Sequence, residues 1–293
     1  MKGIINVLKP PGMTSHDVIG FMRKLLNIKK IGYAGTLDPV AAGVLPVFIG
    51  KATKAIEFFD DNYKEYVAEM LLGITTDTGD LDYKVKKQKK VEVDIDKVNK
   101  VLKSFIGRIE QVPPMYSAVH YQGKKLYELA RKGITVKRLP RTVEIKSLEL
   151  IQFSKNIATI KIYCSKGTYI RTLCEDIGYA LNCGACLSAL IRTKSGPFDI
   201  KDTITLEEMR DYIHFGNIKE VLIPIDVAMD FIPSIGIEIN RYEDFFKGNH
   251  FNANYNFTKD DVGKLVRVYA KDDFLGIAEI NSENNIRVIK SFC

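Results

Sequence analysis

The most restrictive feature of the sequence is a strand pattern that passes directly into a helix pattern. Apolar residues occupy every second position from Ala158 to Cys164, which predicts a strand with one buried and one exposed side. After the turn at Lys166-Gly167, apolar residues recur at helical spacing from Ile170 to Leu181. Because each element must bury its apolar side against another, the segment predicts a sheet covered by a helix.

The rest of the first 230 residues mixes predicted strands and helices without a regular alternation of the two. Thr14 with Asp17, and Thr205 with Glu208, have the spacing of capping boxes and predict two further helix N-termini. Since no strand–helix–strand rhythm is present, the pattern favours an α+β fold over a doubly wound parallel sheet.

The C-terminal part of the chain has a different pattern. From Pro233 onwards it consists of short predicted strands and turns, with strands over Lys264–Tyr269, Phe274–Ile280 and Ile286–Phe292. This succession predicts a small β-barrel module. We therefore predict two domains, residues 1–230 and 231–293.

Composition excludes several classes of protein. The chain is 46% hydrophobic and 27% charged, which is typical of a globular protein. No window approaches about 18 uninterrupted apolar residues, and the N-terminus has no apolar stretch of the signal-peptide kind before its prolines. Five cysteines, an odd number, favour a reducing compartment over a disulfide framework. We expect a cytoplasmic protein without a membrane segment.

The basic residues are concentrated in two stretches. Lys124–Arg141 carries seven basic residues and one acidic residue, and Lys84–Lys90 carries five lysines and no acid. The first stretch has Tyr116, Tyr121 and Tyr127 in or beside it, a mixture that can hold phosphates and stack bases. The second has no aromatic residue and is interpreted as a solvated loop. The first stretch therefore predicts a surface for a polyanion such as a nucleic acid.

Asp38 lies in the most conformationally specialised segment, Gly32–Pro46, which is rich in glycine and proline. Glycine permits positive φ and close backbone approach, and Pro39 disfavours the helical conformation for the residue before it. Such a loop can present one carboxylate to a cleft. The alternative is an ordinary Asp-Pro turn, which is far commoner than a catalytic aspartate.

Beyond these physical arguments, Gly32–Leu45 resembles the active-site signature of the TruB family of tRNA pseudouridine synthases. Five further blocks occur in the order that the family has: Lys9–Ser15, Lys64–Asp80, Pro113–Gly133, Cys164–Arg171 and Leu190–Phe198. The resemblance covers essentially residues 3–230.

This resemblance implies the pseudouridine synthase fold, a mixed and mainly antiparallel sheet flanked by helices. It also implies an RNA-clamping insertion at about residues 112–141 and a C-terminal RNA-binding domain of the PUA type. The implied reaction isomerises a uridine in the T loop of tRNA, position 55 in tRNA numbering, to pseudouridine. No redox change or group transfer occurs, so neither a cofactor nor a metal is expected.

The family motif assigns the catalytic carboxylate to Asp38, which either attacks C1′ of the nucleoside or abstracts the C2′ proton. A neighbouring guanidinium would keep it charged, and the resemblance makes Arg171 that partner. The residues alone instead favour an ordinary pair between Arg171 and Glu175, four positions later on the predicted helix.

Three further residues take supporting roles from the resemblance. Tyr66 is the expected aromatic contact for the target base, Leu190 lines the other side of the pocket, and Lys9 supports the strand that carries Tyr66. Without the family motif these would be interpreted as a core tyrosine, a core leucine and a surface lysine.

The expected RNA contacts are Tyr33, Lys124, Lys125, Arg131, Lys132 and Arg141. Tyr33 stands where the family usually has histidine, and His120 replaces a common lysine. The implied partner is the T arm of tRNA, with the C-terminal module on the acceptor end, and no protein partner is implied.

Two other functions remain open at this point. One is an RNA-binding or tRNA-folding protein whose catalysis is secondary or lost. The other is a glycoside hydrolase, which needs a second catalytic carboxylate that the sequence does not indicate.

Overall fold

A computed structural model describes residues 1–59, 63–81, 85–238, 242–247, 250–253, 257–282 and 285–292. The helices are α1 (Ser15–Leu26), α2 (Ile95–Ser104), α3 (Leu126–Ala130), α4 (Ile170–Ala180), α5 (Leu206–His214), α6 (Ile225–Ala228) and α7 (Tyr242–Phe246). The first strands are β1 (Gly3–Lys9), β2 (Ile31–Tyr33), β3 (Ala42–Ile49), β4 (Lys64–Leu72), β5 (Ile74–Thr76), β6 (Val85–Gln88), β7 (Gly107–Gln111), β8 (His120–Tyr121) and β9 (Lys124–Lys125). The remaining strands are β10 (Arg141–Ser154), β11 (Ile157–Cys164), β12 (Ala185–Ser195), β13 (Phe198–Asp199), β14 (Ser234–Ile237), β15 (His250–Asn252), β16 (Leu265–Ala270), β17 (Asp273–Ile280) and β18 (Asn285–Ser291).

The main sheet has the order β1-β3-β12-β4-β11-β10-β7, with β2 paired to β3 and β13 to β12. Its neighbours are antiparallel except for β3 and β12, which run parallel. The prediction of a mixed, mainly antiparallel sheet flanked by helices is therefore confirmed.

Helices cover one face of the central strands. Along β4 the residues from Lys64 to Leu72 alternate between buried and more exposed positions, and the buried side packs with α2 and α4 in one core cluster. The predicted strand before Cys164 and the predicted helix after Ile170 are β11 and α4, so both are confirmed. Helix α4 follows β11, whose last residue, Cys164, pairs with Lys64 at the start of β4, so the N-terminus of α4 lies near the start of β4.

The other half of the sheet is covered by α1 and α5, which pack against β1 and β3. Both helices begin with the predicted capping boxes, at Thr14 with Asp17 and at Thr205 with Glu208. Residues 10–14 connect β1 directly to α1, so the start of α1 lies beside the end of β1.

The C-terminal strands form a separate five-stranded sheet with the order β14-β16-β17-β18-β15. The predicted small β module is confirmed. Among the described residues its sheet does not close into the predicted barrel, since the strands at the two ends of this order each have one neighbour. Closure requires strands that tilt and stagger around an axis. The outer strands β14 and β15 have only four and three residues.

The C-terminal sheet shares apolar packing with the first part of the chain. Ile277 and Phe292 belong to the same buried cluster as Phe48 and Met229. Arg267 on β16 donates hydrogen bonds to the carbonyl oxygens of Asp226 and Ile232, each at 2.7 Å. The boundary at residue 230 stays a prediction.

Two surface predictions can be compared with the structure. Residues 85–90 are exposed, and β6 (Val85–Gln88) pairs antiparallel with β5. Lys84, the first residue of the predicted lysine-rich loop, lies outside the described residues. In the part of the chain that the structure describes, no helix is both long and apolar enough to cross a lipid bilayer.

The parallel pair β3–β12 depends on a glycine. Gly43 has a φ of +111°, and a Cβ at this position would lie 2.2 Å from the carbonyl oxygen of Arg192. Any side chain here must separate the two strands, and β3 directly follows the loop that contains Asp38. The close approach therefore fixes that loop relative to β12.

We expect Gly43→Ala to lower the free energy of unfolding by about 3 kcal/mol or more, because it adds both backbone strain and a steric clash. Urea denaturation measures the change. The matched control is Gly20→Ala in α1, where a Cβ would meet nothing within 4 Å and which should be neutral or slightly stabilising. Equal effects of the two substitutions would contradict the proposed role of the close approach.

Candidate active site

The loop that carries Asp38 connects β2 to β3 and is held by its main chain. The Ser15 hydroxyl, in the first turn of α1, accepts from the Leu37 N–H at 2.9 Å. The Gly12 N–H donates to the Pro39 carbonyl oxygen at 2.8 Å, and the Ala41 N–H donates to the Asp38 carbonyl oxygen at 3.1 Å. The turn before α1 and the loop therefore form one hydrogen-bonded unit.

Lys9 supports this loop and not the strand that carries Tyr66, so the predicted contact was wrong. Its fully buried ammonium donates to the carbonyl oxygens of Ala41 at 2.6 Å, Pro10 at 2.8 Å and Pro39 at 3.4 Å. Lys9 lies at the end of β1, which pairs with β3 and is separated from β4 by two strands, β3 and β12. Burial lowers the pKa of Lys9 to about 8, an effect that the Asp38 carboxylate partly opposes.

Arg171 meets Asp38 across the site. Its Nε lies 2.9 Å from Oδ2 of Asp38, and the arginine side chain is 6% exposed against 39% for the aspartate. No hydrogen bond or ion pair is found between Arg171 and Glu175, the partner that helical spacing alone favoured. The Asp38 carboxylate contacts a buried guanidinium on one side and is accessible on the other, so it can react with a bound molecule.

The two terminal nitrogens of Arg171 are held by other segments. Nη1 donates to the carbonyl oxygen of Thr78 at 3.2 Å and lies 3.7 Å from Oδ2 of Asp80, while Nη2 donates to the carbonyl oxygen of Tyr116 at 2.8 Å. The Thr78 hydroxyl donates to Oδ1 of Asp80 at 2.8 Å. Asp80 was not among the residues predicted from the sequence, although an aspartate inside a matched block was a usable signal.

Tyr66 and Leu190 lie on the buried side of β4 and β12, facing the same pocket. Its volume is about 430 Å³. The pocket is lined by Gly35, Thr36, Leu37, Asp38, Lys64, Tyr66, Tyr116, Ser117, Ala118, Lys166, Gly167, Thr168, Tyr169, Ile170, Arg171, Leu190 and Arg192. The structure thus brings together Asp38, Arg171, Tyr66 and Leu190, which are far apart in sequence.

Arg192 is a site residue that sequence analysis missed. It pairs with Tyr66 in the register of β12 and β4 and is fully buried. Its Nε and Nη2 donate to the carbonyl oxygens of Val44 and Gly35, both at 2.8 Å. Burial raises the pKa of the Tyr66 phenol, and the adjacent Arg192 guanidinium opposes that rise. The available signal was a charged residue two positions after Leu190, on the buried side of a strand.

The predicted RNA-contact residues lie on two surfaces. Tyr33 is half-buried at the end of β2, where its hydroxyl lies 2.9 Å from Nδ1 of His16. The basic residues belong to residues 112–141, which leave the sheet after β7 and return at β10. Four of these basic residues are exposed and Lys125 is half-buried; the set is Lys124, Lys125, Arg131, Lys132 and Arg141.

The basic insertion also contains one aromatic ring that contacts its cations. The guanidinium of Arg131 lies 5.4 Å from the centre of the Tyr127 ring, and the ammonium of Lys125 lies 5.8 Å from it.

Within the described residues, no group of three or more histidine, cysteine, aspartate or glutamate side chains could hold a metal ion. The described cysteines are free and buried.

We expect the stability difference between the wild type and Lys9→Met to depend on alkaline pH. The folded-state pKa of Lys9, about 8, is lower than the ordinary lysine value of 10.5. Between these values the unfolded chain binds more protons, so the free energy of unfolding of the wild type should rise with pH relative to the variant. Urea denaturation of both proteins at pH 7.5 and 9.5 measures this difference. A difference that stays constant or falls would contradict the assignment.

Comparisons with known proteins identify the family of this chain. Residues 23–170 match the model of the TruB family pseudouridylate synthase N-terminal domain, and residues 171–230 match that of the tRNA pseudouridylate synthase B C-terminal domain. The chain is 44% identical to the tRNA pseudouridine synthase B of Alkaliphilus oremlandii, over 99% of this chain and 97% of that protein. It is 41% identical to the protein of the same name from Clostridium kluyveri, over the full length of both.

Solved structures with the same fold include a chain of a Cbf5-Nop10-Gar1 complex. The TM-score is 0.78 at 29% identity, and the match covers 99% of this chain and 85% of that one. A chain of an H/ACA RNP bound to a substrate RNA matches with a TM-score of 0.77 at 28% identity, over 99% of this chain and 85% of that one. With both family models matched in order along the sequence, the chain belongs to the TruB family of pseudouridylate synthases.

Proposed function

We propose that this pseudouridine synthase isomerises a uridine in the T loop of tRNA, at position 55 in tRNA numbering, and that Asp38 is its catalytic carboxylate. The observation that carries the proposal is the geometry of Asp38, which rests on the Arg171 guanidinium and faces a pocket of about 430 Å³. This volume lies in the usual range for small-molecule sites, about 300–1,000 Å³.

The reaction requires no change in composition. The N1–C1′ bond breaks, the uracil turns, and C5 bonds to C1′; C5 then loses its proton and N1 gains one. Asp38 has two alternative roles: it attacks C1′ and is later displaced, or it takes the C2′ proton and returns it. In both cases the carboxylate must be ionised while partly enclosed, and the adjacent guanidinium offsets the cost of enclosing its charge.

Tyr66 and Leu190 supply the base-binding walls of the pocket. Their side chains lie on adjacent strands, and both are less than a tenth exposed in the free protein. A uracil that enters between them exchanges stacking in the RNA for contact with an aromatic ring and an aliphatic side chain. This exchange repays the few kcal/mol that extrusion of a base costs.

The tRNA partner is proposed to lie across the basic insertion. The insertion carries exposed Lys124, Arg131 and Lys132 outside the pocket, while Tyr116 and Ser117 line the pocket itself. Phosphates of the T arm would contact the basic residues while the target nucleoside enters the pocket. The C-terminal sheet would hold the acceptor end, and the protein would act in the cytoplasm, where tRNA is found.

Asp38→Asn should abolish isomerisation while tRNA binding is retained, because the amide keeps the shape of the carboxylate without its charge or basicity. Tritium release from tRNA that contains 5-tritiated uridine measures the rate, since C5 loses its hydrogen in the reaction. We expect a fall of at least about 1,000-fold and little change in Kd.

The matched control is Asp77→Asn, which removes an exposed carboxylate from a surface ion pair with Lys86 and should leave the rate unchanged. Activity that survives Asp38→Asn would refute the catalytic assignment. Binding without turnover in the wild type would instead support an RNA-binding protein.

The double substitution Lys124→Ala with Arg131→Ala should weaken tRNA binding. It should also make the negative slope of log K against log salt concentration shallower by about 1–2, as expected for the loss of two phosphate contacts. Filter binding at several salt concentrations measures this. Lys87→Ala with Lys90→Ala removes the same charge from the exposed hairpin region and should change neither value. Equal effects of the two pairs would show that only net charge matters.

A further inference from the structure

The insertion leaves the main sheet at a buried glutamine. Gln111 is the last residue of β7 and pairs with Arg141, the first residue of β10. These two residues therefore form the neck through which residues 112–140 are attached to the sheet. Gln111 is only 2% exposed, whereas Arg141 is exposed.

The Gln111 amide binds the main chain at the start of α4. Nε2 donates to the carbonyl oxygen of Tyr169 at 3.0 Å, and Oε1 accepts from the Tyr169 N–H at 2.8 Å. Tyr169 is the N-cap residue of α4, and its own side chain makes no capping hydrogen bond. Backbone N–H groups at a helix N-terminus need partners from outside the helix. Gln111 supplies such a partner to the Tyr169 N–H, two residues before Arg171, and also donates to the Tyr169 carbonyl oxygen, which accepts from the Leu173 N–H as well.

A second contact joins the insertion to Arg171 itself. The carbonyl oxygen of Tyr116, within the insertion, accepts from Nη2 of Arg171 at 2.8 Å, while Nε of the same guanidinium lies 2.9 Å from the Asp38 carboxylate. Because the guanidinium is planar and rigid, a shift at Nη2 also moves Nε. The main chain of the insertion is therefore one determinant of where the Asp38–Arg171 pair lies.

From these contacts, we infer that Gln111 is a positioning residue that couples RNA docking on the insertion to the geometry of the Asp38–Arg171 pair. The inference rests on the proposed function. Outside the pocket, the insertion presents Lys124 and Arg131 to a polyanion; inside, it holds Arg171 through the Tyr116 carbonyl. Gln111 ties the neck of the insertion to α4, so that a displacement of the insertion also reaches the helix that carries Arg171.

The first test is Gln111→Met, which keeps the length and approximate volume of the side chain but removes both hydrogen bonds. We expect the single-turnover rate constant at saturating tRNA to fall at least tenfold, while Kd changes less than twofold, because small misplacements of reacting groups are costly. Glu110→Gln, on the exposed side of the same strand, should leave both values unchanged. A wild-type rate in Gln111→Met would overturn the inference.

A conservative variant separates positioning from stability. In Gln111→Glu the new carboxylate still accepts from the Tyr169 N–H, and only its protonated form also donates to the Tyr169 carbonyl oxygen. Its rate relative to wild type should therefore be higher at pH 6 than at pH 8, and higher than that of Gln111→Met at the lower pH. A ratio that does not change with pH, or rate losses that only follow the loss in Tm, would overturn the inference.

Coupling to docking is tested by a double-mutant cycle with the Lys124→Ala, Arg131→Ala pair. In the wild-type background this pair should lower both affinity and the saturating rate; in the Gln111→Met background it should lower affinity alone. Additive effects on the saturating rate would overturn the inference. Wild-type turnover tests the proposed function separately: an inactive wild type would overturn both proposals, whereas an active wild type with an unaffected Gln111→Met variant overturns only this one.

Discussion

The guanidinium of Arg171 is the interaction on which the candidate site depends. It contacts the Asp38 carboxylate through Nε, the 78–80 turn through Nη1, and the Tyr116 carbonyl through Nη2. Three segments that are distant in sequence are therefore positioned by one rigid, permanently charged group. A lysine has a single ammonium on a flexible chain and could not reproduce this set of contacts. The buried cation is matched by the carboxylates of Asp38 and Asp80, as a buried charge requires.

The sheet supplies the rigid frame for this cation. The parallel pairing of β3 with β12 sets the loop before β3 beside the strand that carries Leu190 and Arg192, and Gly43 permits the required approach. Lys9 then fixes the loop through the carbonyl oxygens of Pro39 and Ala41, and it also binds that of Pro10 in the turn before α1. The reactive carboxylate thus lies on a loop, but the loop is bound to strands and a helix, which is a common arrangement for catalytic groups.

Predictions from local pattern succeeded, but local pattern alone did not supply the long-range contacts; the Asp38–Arg171 pair was expected only from the family resemblance. The capping boxes, the alternating strand before Cys164 and the helix after Ile170 depend on neighbours within a few positions and were confirmed. The contact of Lys9 was wrong because it depends on which strand lies beside β1. Asp80 and Gln111 were missed for the same reason, since each acts through Arg171 or its helix.

Taken alone, the sequence determined the local elements, the basic insertion and the glycine- and proline-rich loop that holds Asp38. Periodicity, capping and turn chemistry are properties of neighbouring residues, so no other part of the chain is needed to infer them. The tertiary structure decided that Arg171 pairs with Asp38 and not with Glu175. It also decided that Arg192 is buried beside Tyr66. Both depend on strand register and on where α4 packs, which are set by the total packing of the core and not by any one segment.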